Sequence, residues 1–183
     1  MSIEEIRQEL LKLVKEKAVR KGEHTLSSGK KSAYYIDGKQ VTLDPQGILL
    51  ISRMILLMLQ GIQAEAVGGP TLGADPIAAA VSLLSSQTGR PLKAFIVRKE
   101  EKKHGTQKRI EGPELTVGER VVMVEDVITS GKSVLEAIGE VEKLKCRVVK
   151  VICLVDREEG AEDLLAPYHF SPIFKKADLG LSS

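Results

Sequence analysis

Two adjacent carboxylates followed by a small polar loop are the most informative feature of the sequence. Residues 120–136 read RVVMVEDVITSGKSVLE, so Glu125 and Asp126 follow an apolar strand pattern and precede a loop that opens a helix. Backbone N–H groups and hydroxyls converge on phosphate at such a helix start, where the helix dipole also favours an anion. The two acids can accept hydrogen bonds from a vicinal diol. Together they predict a site for a sugar phosphate.

A nucleotide P-loop is the first alternative for this segment. Residues 131–133 read GKS and end the P-loop pattern G-x-x-x-x-G-K-S. The first glycine of that pattern is absent, and its position is Asp126, whose charge would repel a polyphosphate wrapped by the loop. A purely structural alternative is that Glu125 and Asp126 cap the helix. A sugar phosphate accounts for both the acids and the loop.

A strongly basic run, residues 98–109, follows a second apolar strand pattern. It reads RKEEKKHGTQKR, with six Lys or Arg against two Glu, although the whole chain carries a net charge of only +2. Such runs are usually solvated loops. Here Gly105 and Gly112 would allow the segment 98–112 to move, and a mobile basic lid can neutralise a pyrophosphate leaving group and exclude water. The sequence therefore predicts a lid that closes over the same cleft.

The segments that position these residues alternate between strand and helix patterns. Short apolar runs, typical of strands buried on both faces, are separated by longer helical patterns. Strands are predicted at 64–68, 93–97, 120–124 and 148–155, with an edge strand at 170–174, and helices at 74–87 and 133–145. This order predicts an α/β fold with a central, mostly parallel sheet flanked by helices. In such sheets, ligands bind beyond the carboxyl ends of the strands.

The first 62 residues predict a small N-terminal cap over a sheet core that spans 63–183. Residues 1–20 carry charges throughout and apolar residues at helical spacing, which predicts an amphipathic helix and not a signal peptide. A short aromatic strand at 33–37 and a second helix follow. Because no linker divides the chain, a single domain is expected.

Composition limits the possible partners and the compartment. The chain has 183 residues, of which 43% are hydrophobic, with 27 Lys or Arg against 25 Asp or Glu. This balance favours neither nucleic acid nor an anionic membrane surface, and the longest apolar stretch, 47–59, is too short to span a bilayer. Cys146 and Cys153 lack the spacing of a zinc site. Buried, reduced thiols in the cytoplasm are therefore expected.

The string VVMVEDVITSGKS resembles the binding signature for phosphoribosyl pyrophosphate (PRPP) in the type I phosphoribosyltransferases, which consists of an apolar strand, two acids and a Thr-x-Gly loop. The resemblance implies the α/β fold of that family. It also implies that Glu125 and Asp126 hold the ribose hydroxyls. The residues that would surround the 5-phosphate are Val127, Ile128, Thr129, Ser130, Gly131, Lys132 and Ser133.

The basic run resembles one branch of this family, the orotate phosphoribosyltransferases, in its spacing R-K-x-x-K-x-H-G. The lid residues that this resemblance assigns to pyrophosphate in the neighbouring subunit's site are Arg98, Lys102 and His104. It assigns Lys99 to PRPP. A homodimer in which the lid is shared between subunits is implied by the same resemblance.

Two segments distant from the lid resemble the same branch. SGKKSAYYIDG matches a segment whose aromatic pair, here Tyr34 and Tyr35, flanks the pyrimidine, although tyrosines in such a strand are more often core. VDREEG is either a surface turn or the family turn whose arginine, here Arg157, meets the orotate carboxylate. A planar guanidinium suits that bidentate contact. The resemblance also assigns Thr129 to orotate.

Several positions depart from the family pattern. Some branches carry lysine where Ser27 and Gly73 stand here, and Lys103 stands where an acid is common. The segment GGPTLGADP resembles a different bacterial branch, in which the backbone after the first sheet strand approaches pyrophosphate. The residues that this second resemblance places near pyrophosphate are Thr71, Leu72 and Gly73.

The expected activity is transfer of the ribosyl 5-phosphate group from PRPP to orotate, which gives orotidine 5-phosphate and pyrophosphate in pyrimidine biosynthesis. Mg²⁺ is expected to be held mainly by the substrate phosphates, with no cage of protein carboxylates. Two alternatives stay open. One is a phosphoribosyltransferase for another nucleobase, and the other is a regulatory protein that binds PRPP without catalysis.

Overall fold

The computed structural model describes residues 1–25, 31–100 and 109–181. The strands in these ranges are β1 (Val19–Thr25), β2 (Lys31–Ile36), β3 (Ala66–Pro70), β4 (Lys93–Val97), β5 (Ile110–Glu111), β6 (Arg120–Ile128), β7 (Arg147–Asp156) and β8 (Phe170–Lys175). The α-helices are α1 (Ile3–Leu13), α2 (Lys39–Thr42), α3 (Pro45–Met58), α4 (Ala74–Ser85), α5 (Lys132–Lys143) and α6 (Ala161–Leu165).

Most of these strands belong to one sheet. Its order is β5-β4-β3-β6-β7-β8, while β1 and β2 form a separate antiparallel ribbon. Neighbouring strands of the main sheet are parallel, except that the short β5 runs antiparallel to β4. The predicted α/β fold with a mostly parallel central sheet is therefore confirmed.

Helices cover both faces of the main sheet. Val122 and Val124 of β6 join a core formed with α1, α3 and α4, whereas Val121 and Met123 join a second core formed with α5 and α6. Successive residues of a strand point to opposite faces, so both sets are buried. This arrangement explains why the sheet strands are nearly continuous apolar runs in the sequence.

The predicted elements are present, with shifts at their ends. β4 has the predicted bounds, β8 is the predicted edge strand, and β3 begins two residues later than predicted. The main correction concerns β6, which was expected to end at Val124 but continues to Ile128, because β7 pairs with it along this length. Glu125 and Asp126 therefore belong to the strand and not to the loop after it.

The N-terminal helix is shorter than predicted. α1 begins with a capping box, in which the backbone N–H of Glu5 donates to Ser2 Oγ (3.2 Å), and a π-helical turn, Val14–Ala18, follows α1. The expectation of a helix up to residue 20 is wrong, because Val19 begins β1, which pairs with β2. Six of the seven residues of β1 are polar or glycine and show no strand pattern. Pairing with β2 stabilises this strand, and no local periodicity predicts it.

The cysteines and the helix lengths bear on two further expectations. Cys146 and Cys153 are free and buried, as the sequence predicts. Burial raises the pKa of the Cys153 thiol well above its usual value, so this thiol is neutral at physiological pH. Across the described ranges, no helix is both long enough and apolar enough to cross a bilayer.

A crevice opens where the strand order reverses. After β3 the chain crosses through α4 on one face to reach β4, and after β6 it crosses through α5 on the other face to reach β7. Pairing between β3 and β6 ends at Gly68 and Met123, whereas β6 stays paired with β7 as far as Ile128. The strands therefore separate at their carboxyl ends, which is where open α/β sheets bind ligands.

Replacement of Gly69 by alanine tests the close packing below this crevice. A Cβ at Gly69 would overlap the carbonyl oxygen of Val124 and lie 2.8 Å from Ala74 Cβ. Because backbone cannot move aside without disturbing the sheet, we expect Gly69→Ala to lower the free energy of unfolding by about 2 kcal/mol or more.

Gly139 provides the matched control, because a Cβ added there in α5 meets nothing within 4 Å. Alanine should raise the free energy of unfolding at this helical position by up to about 1 kcal/mol. Urea unfolding measures both variants. Equal stabilities for the two variants would contradict the packing described for Gly69.

Candidate active site

A cavity of about 580 Å³ lies in the crevice. Its walls come from the segment after β3, the ends of β4 and β6, and the first turns of α5. A smaller cavity of about 120 Å³ lies beside it in the loop between β6 and α5, and the two share Glu125, Val127 and Ser133. The charged residues that line the larger cavity are Lys39, Arg98, Lys99, Arg109, Glu125, Asp126 and Glu136.

The predicted acidic pair lines the larger cavity. Glu125 and Asp126 are only 8% and 7% exposed. The Asp126 N–H donates to Glu125 Oε1 (3.1 Å), and the Val127 N–H donates to Asp126 Oδ1 (2.7 Å). Burial, together with the charges of Asp126 and Asp75, raises the pKa of Glu125 well above its usual value. The site therefore favours a ligand that donates hydrogen bonds to these carboxylates.

The segment after β3 approaches the acidic pair so closely that only glycine fits at position 73. A Cβ at Gly73 would overlap the carboxylate oxygens of Glu125 and Asp126. Thr71 Oγ1 donates to Asp75 Oδ2 (2.9 Å), which ties this segment to the first turn of α4. A lysine at position 73, as in other branches of the family that the sequence resembles, would displace a carboxylate here.

The predicted phosphate loop surrounds the smaller cavity. Gly131 precedes α5 with a φ of 79°, a left-handed conformation that favours glycine, and its carbonyl accepts from the Leu135 N–H (2.9 Å). The first-turn N–H groups of α5 have no helical partner and border the cavity. The predicted loop residues that line the smaller cavity are Val127, Ile128, Thr129, Ser130, Gly131, Lys132 and Ser133. The structure thus brings all the predicted phosphate-loop residues to one place.

The two ends of the predicted lid meet at the mouth of the larger cavity. Arg98 and Lys99 follow β4, and the Arg98 N–H donates to the Arg109 carbonyl (2.8 Å). The Arg109 guanidinium donates to the Arg98 and Lys99 carbonyls (3.0 and 2.9 Å) and to Glu140 of α5 (2.9 Å). Residues 101–108 of the lid lie outside the described ranges, and these include Lys102, Lys103, His104 and Gly105. Arg109, which was not singled out in the sequence although it ends the basic run, ties the base of the lid to α5.

Arg157 lies directly after β7, the strand next to β6. It is 7% exposed, its backbone N–H donates to the Ile128 carbonyl (2.9 Å), and its Nη2 lies 2.8 Å from Glu159 Oε1. Its guanidinium carbon lies 5.4 Å from the centre of the Tyr34 ring. Among the described residues, its buried Nε has no hydrogen-bond partner. Arg157 does not line either of the two cavities described above, although its guanidinium is of the type that binds a ligand carboxylate.

The two predicted tyrosines make different contacts. Tyr34 is half-buried and packs against the core beside Arg157. Tyr35 is 38% exposed, and its ring centre lies 5.8 Å from that of His24. Ser27, which was noted as a departure from the family, lies outside the described ranges. Of the two tyrosines, Tyr34 is the one whose ring lies beside the Arg157 guanidinium.

Lys39 is a site residue that the sequence pattern did not predict. It begins α2, and its Nζ lies 3.1 Å from Asp37 Oδ1 and 3.8 Å from Asp126 Oδ2. Burial acts in the opposite direction, but the hydrogen bond to Asp37 and the charge of Asp126 raise the pKa of Lys39 above its usual value. Lys39 lies just beyond the end of β2, and this position could have identified it from the sequence as a candidate site residue.

Comparison with known proteins identifies the family. A family described as "Phosphoribosyl transferase domain" matches residues 63–178. The chain is 46% identical over 176 residues to the orotate phosphoribosyltransferase of Nostoc sp., covering 95% of this chain and 85% of that protein. It is also 46% identical to the Corynebacterium glutamicum orotate phosphoribosyltransferase, covering 97% of this chain and 96% of that one. The chain belongs to the orotate phosphoribosyltransferase family.

Solved structures of orotate phosphoribosyltransferases have the same fold. The enzyme of Mycobacterium tuberculosis H37Rv in complex with Fe(III) dicitrate superposes with a TM-score of 0.84 at 41% identity, covering 96% of this chain and 99% of that chain. The same enzyme in complex with PRPP superposes with a TM-score of 0.80 at 38% identity, again covering 96% and 99%. The fold and the family predicted from the sequence are confirmed.

The raised pKa of Glu125 predicts how stability depends on pH in this member of the orotate phosphoribosyltransferase family. The group holds its proton in the folded protein at pH values where the unfolded chain has lost it. The folded state therefore loses stability as pH rises from the usual glutamate pKa of 4.5 towards the raised value. Glu125→Gln removes this loss and can keep the hydrogen bond from the Asp126 N–H.

We expect Glu125→Gln to raise the melting temperature at about pH 8 and to have little effect near pH 5. A gain of about 1 kcal/mol corresponds to roughly 2–4 °C for a chain of this size. Glu16→Gln, at an exposed position on the N-terminal segment, is the control and should leave the melting temperature unchanged at either pH. A Glu125→Gln effect of equal size at both pH values would contradict the assignment.

Proposed function

We propose that the protein transfers the ribosyl 5-phosphate group from PRPP to orotate, giving orotidine 5-phosphate and pyrophosphate in de novo pyrimidine biosynthesis. The observation that carries this proposal is the buried acidic pair placed against a phosphate loop, with a buried arginine directly after the adjacent strand β7. The relatives from Nostoc and Corynebacterium are orotate phosphoribosyltransferases. The PRPP complex of the Mycobacterium tuberculosis enzyme supports PRPP as the donor.

The sugar end of PRPP matches the loop and the acidic pair. Backbone N–H groups of the loop, with the hydroxyls of Thr129, Ser130 and Ser133, bind the 5-phosphate in the smaller cavity. Glu125 and Asp126 accept hydrogen bonds from the ribose hydroxyls. These donors offset the unfavourable burial that raises the pKa of Glu125, so the pair is stabilised when the sugar is bound.

The pyrophosphate end of PRPP matches the basic side of the larger cavity. Arg98 and Lys99 line that side, and the backbone of the segment 71–73 lies opposite the acidic pair. Arg98, Lys102 and His104, by family resemblance, reach the pyrophosphate in the partner subunit's site. Because negative charge accumulates on the leaving group, cations placed there stabilise the transition state more than the ground state.

Orotate matches Arg157, directly after β7, and Tyr34 of β2. Arg157 binds the carboxylate through its guanidinium, which lies against the Tyr34 ring, and Thr129 borders the loop side. The ring nitrogen of orotate forms a bond to the anomeric carbon while the bond from that carbon to pyrophosphate oxygen breaks. The acidic pair holds the ribose in place as positive charge develops on the sugar.

Mg²⁺ fits the donor set of the larger cavity. Glu125 and Asp126 offer the carboxylate oxygens that this cation prefers, and the cation keeps several water and substrate ligands when bound to proteins. When bound with PRPP, the ion neutralises charge on the pyrophosphate. We therefore propose that it is held mainly by substrate phosphates, with the acidic pair nearby.

Two further parts of the proposal concern assembly and compartment. We propose a homodimer in which the lid of each subunit completes the partner's site. Leu72, which lines the larger cavity, is 64% exposed, and burial of such a side chain favours contact with a second subunit. The free, buried thiols of Cys146 and Cys153 fit a reducing compartment, which supports a cytoplasmic location. The near balance of 27 Lys or Arg against 25 Asp or Glu favours neither a membrane nor nucleic acid as a partner.

Base preference tests the proposed reaction. With PRPP and Mg²⁺ present, the protein should turn over orotate far faster than uracil, hypoxanthine or adenine. Arg157→Ala should lower kcat/KM for orotate by roughly tenfold to a hundredfold, because a charged hydrogen bond is lost from a buried site. The already poor kcat/KM for uracil should change little, since uracil has no carboxylate.

Two variants serve as comparisons in this assay. Arg157→Lys should recover only part of the orotate preference, because an ammonium keeps the charge but not the planar fork. Arg147→Ala, at the exposed opposite end of β7, should behave as the unaltered protein. Preferred turnover of another base, or PRPP binding without turnover, would overturn the proposed reaction. An unchanged orotate-to-uracil ratio in folded Arg157→Ala would instead reject only the role of Arg157.

Subunit mixing tests the shared site. Lys102→Ala removes a lid residue and Asp126→Ala removes an acidic-pair residue, so each homodimer should be nearly inactive. Random exchange of equal amounts gives about one half heterodimers, each with one intact site, and therefore about a quarter of the activity of the unaltered protein. Mass measurement of tagged subunits confirms exchange. Exchanged subunits without recovered activity would show that each subunit uses its own lid.

A further inference from the structure

Lys39, the first residue of α2, forms an ion pair with one member of the acidic pair. Its Nζ lies 3.8 Å from Asp126 Oδ2, and its side chain is 39% exposed towards the larger cavity that it lines. Within residues 1–25, 31–100 and 109–181, Lys39 is the cation that forms an ion pair with Asp126, and Glu125 has none. The negative charge of the pair is therefore offset from outside the main sheet.

The backbone around Lys39 is fixed on both sides. The Asp37 N–H donates to the Ala18 carbonyl (2.9 Å), and Gln40 Nε2 donates to Asp37 Oδ2 (3.1 Å). Asp37 Oδ1 then holds the Lys39 ammonium at 3.1 Å. A Cβ at Gly38 would lie 2.8 Å from Asp126 Cβ, so the backbone at the start of α2 is already close to the acidic strand. The lysine is directed at Asp126 by fixed neighbours.

The basic residues on the other side of the cavity have different partners. Arg98 Nη1 lies 3.3 Å from Glu111 Oε1, and Arg109 Nη1 lies 2.9 Å from Glu140 Oε1. These arginines stabilise the base of the lid. Lys39 alone among these three cations faces the acidic pair.

We propose that Lys39 is a positioning residue that orients the Asp126 carboxylate for the ribose hydroxyls of PRPP. A polyanionic ligand enters a cavity in which two neighbouring carboxylates already repel each other, and a cation about 4 Å away reduces that repulsion. The role is carried through Asp126 and not through a contact with the reacting atoms. This inference rests on the proposed function of the site.

Calorimetric binding of PRPP in the presence of Mg²⁺ provides the first test. Lys39→Met keeps the length of the side chain but removes its charge, and should weaken PRPP binding by about fivefold to tenfold. Lys39→Arg should restore most of the affinity. The control is Lys17→Met, because Lys17 is 41% exposed and pairs with Asp44 (2.5 Å) elsewhere in the N-terminal segment. It should bind PRPP as the unaltered protein does.

A double-mutant cycle separates positioning from direct contact with the ligand. In the Asp126→Asn background, Lys39→Met should have little further effect on PRPP affinity, because the group through which it acts is gone. Because the cycle measures PRPP affinity, the Asp126→Asn variant does not need to be catalytically active. Independent, additive losses would show that Lys39 contacts the ligand itself and would overturn the positioning role, as would unchanged affinity in Lys39→Met.

Steady-state kinetics gives a second readout. Lys39→Met should raise the KM for PRPP by about fivefold to tenfold and leave kcat within roughly threefold, because the interaction is made in the ground state as well as in the transition state. A large loss of kcat without a change in KM would also reject the role. Failure of the unaltered protein to turn over orotate would reject the proposed function, whereas normal kinetics of Lys39→Met would reject only this inference.

Discussion

Burial of two adjacent carboxylates at the open end of the sheet is the constraint on which the rest of the structure depends. Glu125 and Asp126 lie on β6 beyond the point where β3 has separated from it, while β7 still pairs with the strand. This pairing keeps the acids in regular backbone geometry and withdraws them from water. The raised pKa of Glu125 is the consequence, and it marks a site that is stabilised by a ligand with hydroxyl donors.

Close approach of backbone from two other segments follows from that constraint. Gly73 after β3 leaves no room for a Cβ beside the carboxylates, and Gly38 approaches Asp126 from the start of α2. Each glycine allows a segment to enclose the acids without a side chain that would push them apart. Lys39 forms an ion pair with the Asp126 carboxylate. The start of α2 is therefore part of the site.

The two hydrophobic cores, one on each face of the main sheet, compensate for the unfavourable burial of Glu125 and Asp126. Apolar side chains pack on both faces of β6, so the strand is fixed below the crevice by contacts that do not involve the acids. The same rigidity places Arg157 at the end of β7 with a donor unused. The packing of the sheet and its helices stabilises the fold. The charged groups at the strand ends do not add to that stability, and they are placed to bind a ligand.

Local sequence was sufficient for elements whose signal lies within one segment. β4, α4 and α5 were predicted from apolar periodicity, and the phosphate loop was predicted because the acids, the small residues and the helix start are contiguous. β1 could not be predicted, since its polar residues form a strand only by pairing with β2. The end of β6 was misplaced for a related reason, because two acids interrupt the apolar pattern although β7 continues to pair.

The sequence by itself determined the order of the five parallel strands of the main sheet and of the helices α4 and α5 between them, the family, and the residues of the acidic pair and the loop. Only the tertiary structure decided which distant residues meet that pair. Gly73 and Lys39 reach it from segments whose local patterns contain no sign of the contact. Periodicity reports which face of an element is buried, whereas the neighbours of a buried charge depend on strand order and on the packing of separate segments.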